Sequence, residues 1–269
     1  LYRGAMLDCA RHYMPTEFVK KFIDIIALHG ANKFHWHLTD DQGWRAEIKA
    51  LPDLEKKGSY RPYTIMGRNV GLWDMENAIY DDTPEEGYYT REEMQEVVAY
   101  AAERYITVIP EIDLPGHMVA AVTSYPELLS CDPSKEYAVR IDGGISKDVL
   151  NIGKDEVLDF LRCVLGHIAE VFPYQYVHIG GDECPTDQWA TNADCLRRVE
   201  EEGLGGVNEL QSWLVEQLGT WLKQEYGKDL VVWDELLSHW NAANTVQPVI
   251  MAWNHINKSA TAADYGLKS

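Results

Sequence analysis

Two adjacent acids close the segment His178-Ile179-Gly180-Gly181-Asp182-Glu183, a strand that runs into a glycine pair. Glycine lets a backbone turn sharply or admits a ligand close by. Neighbouring side chains on a regular strand point to opposite faces, so Asp182 and Glu183 can serve one site only where the strand ends and twists. Two carboxylates held close raise one pKa, and a carboxyl kept protonated near neutrality is what a general acid requires. A solvated acidic turn is the reading without chemistry.

Further upstream, His35-Trp36-His37 puts two imidazoles on one strand face, ahead of Asp40 and Asp41 at the strand end. HxH early in a barrel also begins the ligand set of some metal-dependent hydrolases, with His117 and Asp182 as completing ligands. Trp36 and Leu38 equally make the run a packed barrel wall. In Glu111-Ile112-Asp113-Leu114-Pro115-Gly116-His117 a strand end is followed by a proline-glycine turn that aims His117 back toward the other acids, where it can orient a catalytic carboxyl. Arg11, alone among acids, offers a planar fork of donors to hydroxyls, or else a salt bridge to Asp8.

These residues need elements to hold them. Short apolar runs at Ala5–Asp8, Lys33–Leu38, Ile106–Ile112, Tyr176–Ile179, Leu230–Trp233 and Val249–Trp253 read as six strands. Helical spacing lies between them: Phe18, Phe22, Ile25, Ile26; Met94, Val97, Val98, Ala101; Leu158, Leu161, Leu165, Ile168; and Leu210, Trp213, Leu214, Leu218, Trp221. Thr90 and Glu93 form a capping box that starts the second helix. Strict β/α alternation predicts parallel strands with crossover helices, as in a (β/α)8 barrel or a doubly wound open sheet. The reactive side chains favour the barrel. Asp8 with Arg11, Asp40 with Asp41, Asp113 with His117, Asp182 with Glu183, Trp233 with Asp234 and Glu235, and Trp253 all follow strand ends, and a barrel gathers these at one mouth, whereas an open sheet gathers only those near its switch point. About six of eight βα units are expected within residues 1–269, as one incomplete catalytic barrel domain. The stretch Ser59–Tyr89, with Gly67, Gly71, Gly87 and two prolines, reads as an active-site loop after strand two.

With 24 basic against 43 acidic side chains, the formal charge of −19 repels nucleic acid and anionic membranes and favours a neutral substrate. Nine Trp supply faces on which sugar rings stack, or else core packing. Five Cys without CxxC or zinc spacing indicate neither a disulfide framework nor a metal knuckle. No apolar run reaches the roughly 18 residues that span a bilayer.

Taken together, Arg3–Met14 (RGAMLDCARHYM), Asn32–Arg45 (NKFHWHLTDDQGWR), Tyr89–His117 and His178–Pro185 (HIGGDECP) resemble family 20 of the glycoside hydrolases, the β-N-acetylhexosaminidases. The resemblance implies a retaining exo-enzyme acting on glycans ending in N-acetylhexosamine, secreted, periplasmic or lysosomal, without cofactor or metal. By it, Glu183 is the general acid/base and Asp182 holds the acetamido N–H, while the substrate's own acetamido oxygen attacks the anomeric carbon and forms an oxazolinium ion. Asp40 and His117 then support the acid and Arg11 binds sugar hydroxyls. Trp233 and Trp253 wall the acetamido pocket and sugar face, and Glu235 is a further candidate hydroxyl ligand. The family's accessory domain, and its later acetamido-gripping tyrosine and acid, are expected outside this stretch.

Overall fold

A computed structural model describes residues 2–67, 78–255 and 257–269. In chain order the strands are β1 (Gly4–Asp8), β2 (Lys33–Asp40), β3 (Gly43–Trp44), β4 (Tyr60–Arg61), β5 (Glu85–Glu86), β6 (Thr107–Ile112), β7 (Tyr176–His178), β8 (Asp229–Trp233) and β9 (Val249–Met251). The α-helices are α1 (Thr16–Leu28), α2 (Asp53–Gly58), α3 (Arg91–Ala102), α4 (Val119–Ser124), α5 (Pro126–Leu129), α6 (Asp155–Val171), α7 (Ala193–Glu201), α8 (Leu210–Tyr226) and α9 (Asn257–Asp264). Strands β1, β2, β6, β7, β8 and β9 pair in that order, each parallel to the next. The curled sheet with its helices makes six βα units of a (β/α)8 barrel, the alternative that the strand-end side chains favour over an open sheet. The short β3 folds back antiparallel on β2. After α9, Lys268 already pairs beside Val249 of β9, so the chain returns to the sheet within its last residues.

The two faces of β2 explain its composition. Phe34, Trp36 and Leu38 are fully buried, and rings of the helix layer and adjoining loops pack on them: Phe22 on Phe34 at 5.6 Å, and Phe172 and Tyr89 on Trp36 at 6.2 and 4.7 Å between centroids. His35, His37 and Thr39, at the alternate positions, are buried on the opposite face. Register then aligns polar residues across strands. His37 pairs with Asp8 on one side and with Glu111 on the other, and Glu111 pairs with His178. In parallel strands such partners face the same way, so one row of the sheet carries acids and imidazoles side by side.

The helices follow their sequence signals closely, with one exception. The capping box is present in full: Thr90 Oγ1 accepts from Glu93 N at 3.1 Å and Glu93 Oε2 accepts from Thr90 N at 2.8 Å. Helix α6 buries Leu158, Leu161, Leu165 and Ile168 as expected. In α1, however, the buried stripe is Val19, Ile23 and Ile26, while Phe18 and Ile25 are exposed. Both stripes have helical spacing, and only tertiary packing selects between them.

Candidate active site

The site lies at the C-terminal ends of the strands. Arg11 follows β1, and Asp8 Oδ1 accepts its backbone N–H at 3.0 Å. Its guanidinium bridges Asp8 Oδ2 at 2.9 Å and Asp40 Oδ2 at 2.7 Å, and Nε donates to Gln42 Oε1 at 3.2 Å. Both sequence readings of Arg11 therefore coexist: it is salt-bridged, yet its side chain is 40% exposed and faces the mouth. Burial opposes its charge, but Asp40 and Asp8 outweigh that and raise its pKa.

Asp40 is fully buried and joins three cations. Besides Arg11, its Oδ2 meets His37 Nε2 at 2.8 Å and its Oδ1 meets His117 Nδ1 at 3.1 Å. Burial pushes its pKa up, but Arg11, His117 and His37 overcome this and hold the carboxyl well below the usual range. Next to it, burial and the charge of Asp40 push Asp41 up to about 6, although Val119 N donates to it and Arg140 bonds it at 3.2 Å.

After β6 the chain passes a cis Leu114–Pro115 peptide and Gly116, and His117 takes a φ of 52°. This turn aims the imidazole between two carboxylate groups. Nδ1 lies on Asp40, and Nε2 faces Glu183 Oε2 at 3.5 Å and Asp182 Oδ2 at 3.8 Å. Burial lowers the affinity of His117 for its proton, but Asp40 and Glu183 reverse that and push its pKa up to about 12.

Beyond β7, Gly180 (φ 64°) and Gly181 (φ 98°) both sit in the left-handed region. A Cβ on Gly180 would stand 1.7 Å from Asp113 Oδ1, so only glycine fits against that carboxyl. Asp113 Oδ1 accepts the Gly181 N–H at 3.1 Å. Burial and the adjacent Asp182 raise the pKa of Asp113 well above the usual range. Asp113, His117 and Asp182 bring ligand atoms within 4.8 Å of one another. The Asp182 side chain is 17% exposed, and its Oδ1 is buried without a hydrogen-bond partner among the described residues. Burial raises its pKa. Glu183 has a φ of 46° and is more open, with 32% of its side chain exposed. His117 holds its carboxyl below the usual range. Of the two adjacent acids, Asp182 is thus the one raised in the free site.

Deeper in the barrel, Glu111 gathers the row set by strand register. Its Oε2 lies 2.6 Å from His35 Nε2 and 2.6 Å from His37 Nδ1, and its Oε1 accepts from Trp233 Nε1 at 2.9 Å. The Trp233 ring stands 4.6 Å from His178 and 5.6 Å from His35. His178 Nδ1 accepts the Gly180 N–H at 2.9 Å. Burial opposes the charge of Glu111, yet His178, His37 and His35 hold it well below the usual range.

A family model described as "Glycosyl hydrolase family 20, catalytic domain" matches residues 1–268. The chain belongs to glycosyl hydrolase family 20. It is 42% identical to a β-hexosaminidase of Porphyromonas gingivalis over 98% of this chain and 31% of that protein. It is 43% identical to a β-hexosaminidase of Vibrio furnissii over 87% of this chain and 37% of that one. Among solved structures, a family 20 exo-β-N-acetylglucosaminidase from Vibrio harveyi, in complex with N-acetylglucosamine, superposes with a TM-score of 0.81 at 36% identity, covering 99% of this chain and 40% of that chain. A β-N-acetylhexosaminidase from Bacteroides fragilis gives 0.80 at 34% identity, covering 99% and 49%. The chain thus spans about a third of the length of these curated relatives.

In this family 20 domain, Arg11, Asp40, His117, Asp182 and Glu183 come together as one connected group. Glu235, considered as a hydroxyl ligand, instead accepts the Glu183 backbone N–H at 2.8 Å, with Asn254 Nδ2 3.3 Å from its other oxygen. Trp253 lies two residues past β9 and is half-exposed, outside the strand expected to carry it. The described part of the Ser59–Tyr89 loop forms the β4–β5 pair and leans on the mouth, Arg61 Nη1 donating to Gln42 O at 2.8 Å; Gly71 lies outside the described residues. Sequence reasoning left Glu111 and Asp113 without roles. The signal was an acid at an inward position of a strand otherwise apolar and buried, which demands partners.

His35, Glu111 and His178 have a metal's ligand types. His35 Nε2 and Glu111 Oε2 are only 2.6 Å apart, a hydrogen-bond distance; two ligands of one tetrahedral zinc stand roughly 3.3 Å apart, so the group would have to open to take an ion.

Proposed function

We propose that this domain forms the catalytic barrel of a retaining exo-β-N-acetylhexosaminidase that removes terminal β-linked N-acetylglucosamine or N-acetylgalactosamine from glycans. The reading rests above all on Asp182 Oδ1, a buried acceptor that lies beside Glu183 and has no hydrogen-bond partner among the described residues. An amide N–H of the substrate satisfies it, and a lone buried acceptor otherwise costs about 1–3 kcal/mol.

In this mechanism Asp182 orients the acetamido group so that its carbonyl oxygen attacks the anomeric carbon, and the negative charge of Asp182 stabilises the oxazolinium ion. The attack is intramolecular and avoids most of the entropy cost of bringing in a second reactant. Glu183 protonates the departing glycosidic oxygen and later takes a proton from water. In the free site Asp40 and Glu183 push His117 up to about 12 against burial, and the imidazole, 3.5 Å from Glu183 Oε2, holds that carboxyl below the usual range. A bound sugar shields the pair from water, which penalises two separate charges and returns the proton to Glu183. Asp40 holds the imidazole in place throughout. Arg11 binds sugar hydroxyls, Trp233 and Trp253 supply apolar walls, and the net charge suits a neutral ligand.

Asp182→Asn tests this reading. It keeps the shape but removes the charge, so the first step slows steeply with an acetamido substrate. A normal rate in that variant means that the nucleophile is another group.

A further inference from the structure

Outside the catalytic group, two cysteines far apart in sequence meet where two active-site loops join. Cys131 follows α5, in the segment that runs from His117 toward α6. Cys195 occupies the first turn of α7, at the end of the segment that carries Asp182 and Glu183. The seam between them is fixed by hydrogen bonds. Asn192 caps α7, its Oδ1 accepting from Asp194 N at 2.9 Å and Cys195 N at 3.1 Å, and its Nδ2 donates to Cys131 O at 3.1 Å. Asn151 N donates to Leu129 O at 2.8 Å, and its side chain meets Cys195 Sγ at 3.3 Å and Asp194 at 3.1 Å. Trp189 Nε1 donates to Leu150 O at 2.8 Å. A Cβ on Gly153 would lie 2.3 Å from the Asp194 carbonyl carbon, so the two backbones touch there. Within this seam Cys131 Sγ stands 3.7 Å from Val149 O and Cys195 Sγ 3.3 Å from Asn151 Oδ1, two residues further along the same stretch, with Cys131 half-buried and Cys195 buried.

We propose that Cys131 and Cys195 close a disulfide that staples the loop carrying His117 to the loop carrying Asp182 and Glu183. The seam already holds both residues, so little further ordering is needed to bring the sulfurs together. With a low-molecular-weight disulfide as oxidant, the accessible Cys131 exchanges first, giving a mixed disulfide and one free thiol. Cys195 then attacks the Cys131 sulfur, the S–S bond forms, and the second small thiol leaves. Two protein S–H groups are oxidised and one disulfide is reduced to two thiols. Cys195 suits the attack: a Gly153 N–H donates to its sulfur and favours the thiolate, even though burial opposes this.

Peptide mapping decides it. The full-length protein is equilibrated with oxidised and reduced glutathione, alkylated, and digested after Asp and Glu, which places Cys131 in residues 128–132, Cys184 in 184–187 and Cys195 in 195–200. The expected product is 128–132 joined to 195–200, lost on reduction. Alkylated thiols at both positions, a stable glutathione adduct at Cys131, or a Cys131–Cys184 link overturns the proposal. As a second measurement, oxidation raises the wild-type Tm by roughly 5–10 °C and leaves that of Cys131→Ser unchanged. The same shift in both proteins also overturns it.

Discussion

Glu111→Gln is a nearly isosteric change that removes a charge from the centre of the site. Two donors meet Oε2 and one meets Oε1. Glutamine has a single acceptor oxygen, so in its better orientation the carbonyl keeps His35 and His37 and the amide N–H₂ confronts the Trp233 N–H. One hydrogen bond to a charged acceptor disappears, about 1.5–3 kcal/mol, and the two that remain lose their charge assistance. His37, whose pKa the Glu111 and Asp40 carboxylates raise against the opposing effect of burial, keeps a proton with one fewer counter-charge. Breaking such a buried pair costs on the order of 3–5 kcal/mol in all. For a domain of this size that lowers Tm by roughly 10 °C, read by thermal unfolding. Trp233 is also released from its tether, so the KM for an acetamido sugar rises in protein that is still folded at the assay temperature. A Tm within 2 °C of wild type (about 1 kcal/mol), with unaltered kinetics, refutes the assignment of Glu111 as the hub of this cluster.

Glu183→Gln removes the proposed general acid while leaving the pocket intact. Hydrolysis of substrates with poor leaving groups falls by about 10²–10⁴, and inhibitor binding measured by calorimetry changes little; full activity in this variant means the proton comes from another residue. His178 predicts a pH effect on stability. Burial lowers its pKa to about 3, so below the unfolded value of about 6.5 the unfolded chain takes up a proton that the folded chain refuses. Its contribution is whole above pH 6.5 and is lost as pH falls toward 3, up to about 5 kcal/mol. His37 and His117 are raised and act in the opposite sense, so the effect is read as the difference between wild type and His178→Asn in denaturant titrations at pH 7 and 4.5. Parallel losses of stability in the two proteins contradict it.

Much of this was legible in the sequence because periodicity and strand-end chemistry are local. The β/α alternation, the capping box at Thr90 and the reactive side chains after each strand all follow from residues within a few positions of one another. What was not legible depends on register. Nothing in Glu111 alone says that His37 and His178 stand beside it at the same level of the sheet, nor that Asp113 abuts Gly180. Helix α1 carries two apolar stripes of equal spacing, and only its neighbours decide that Ile23 is inside and Phe18 outside. The Cys131–Cys195 seam joins two loops whose approach is set by Asn151 and Asn192, residues with no periodic signal. Charge pairing alone predicts a raised carboxyl for the general acid, whereas burial, with Glu111 adding to it, raises Asp182, and His117 holds Glu183 below the usual range.

The central claim is tested most directly by comparing release of nitrophenol from the β-N-acetylglucosaminide and from the plain β-glucoside by the full-length protein. Cleavage of the acetamido sugar alone is expected, because in the proposed mechanism the attacking oxygen belongs to the substrate. Equal cleavage of both, or of neither, contradicts it.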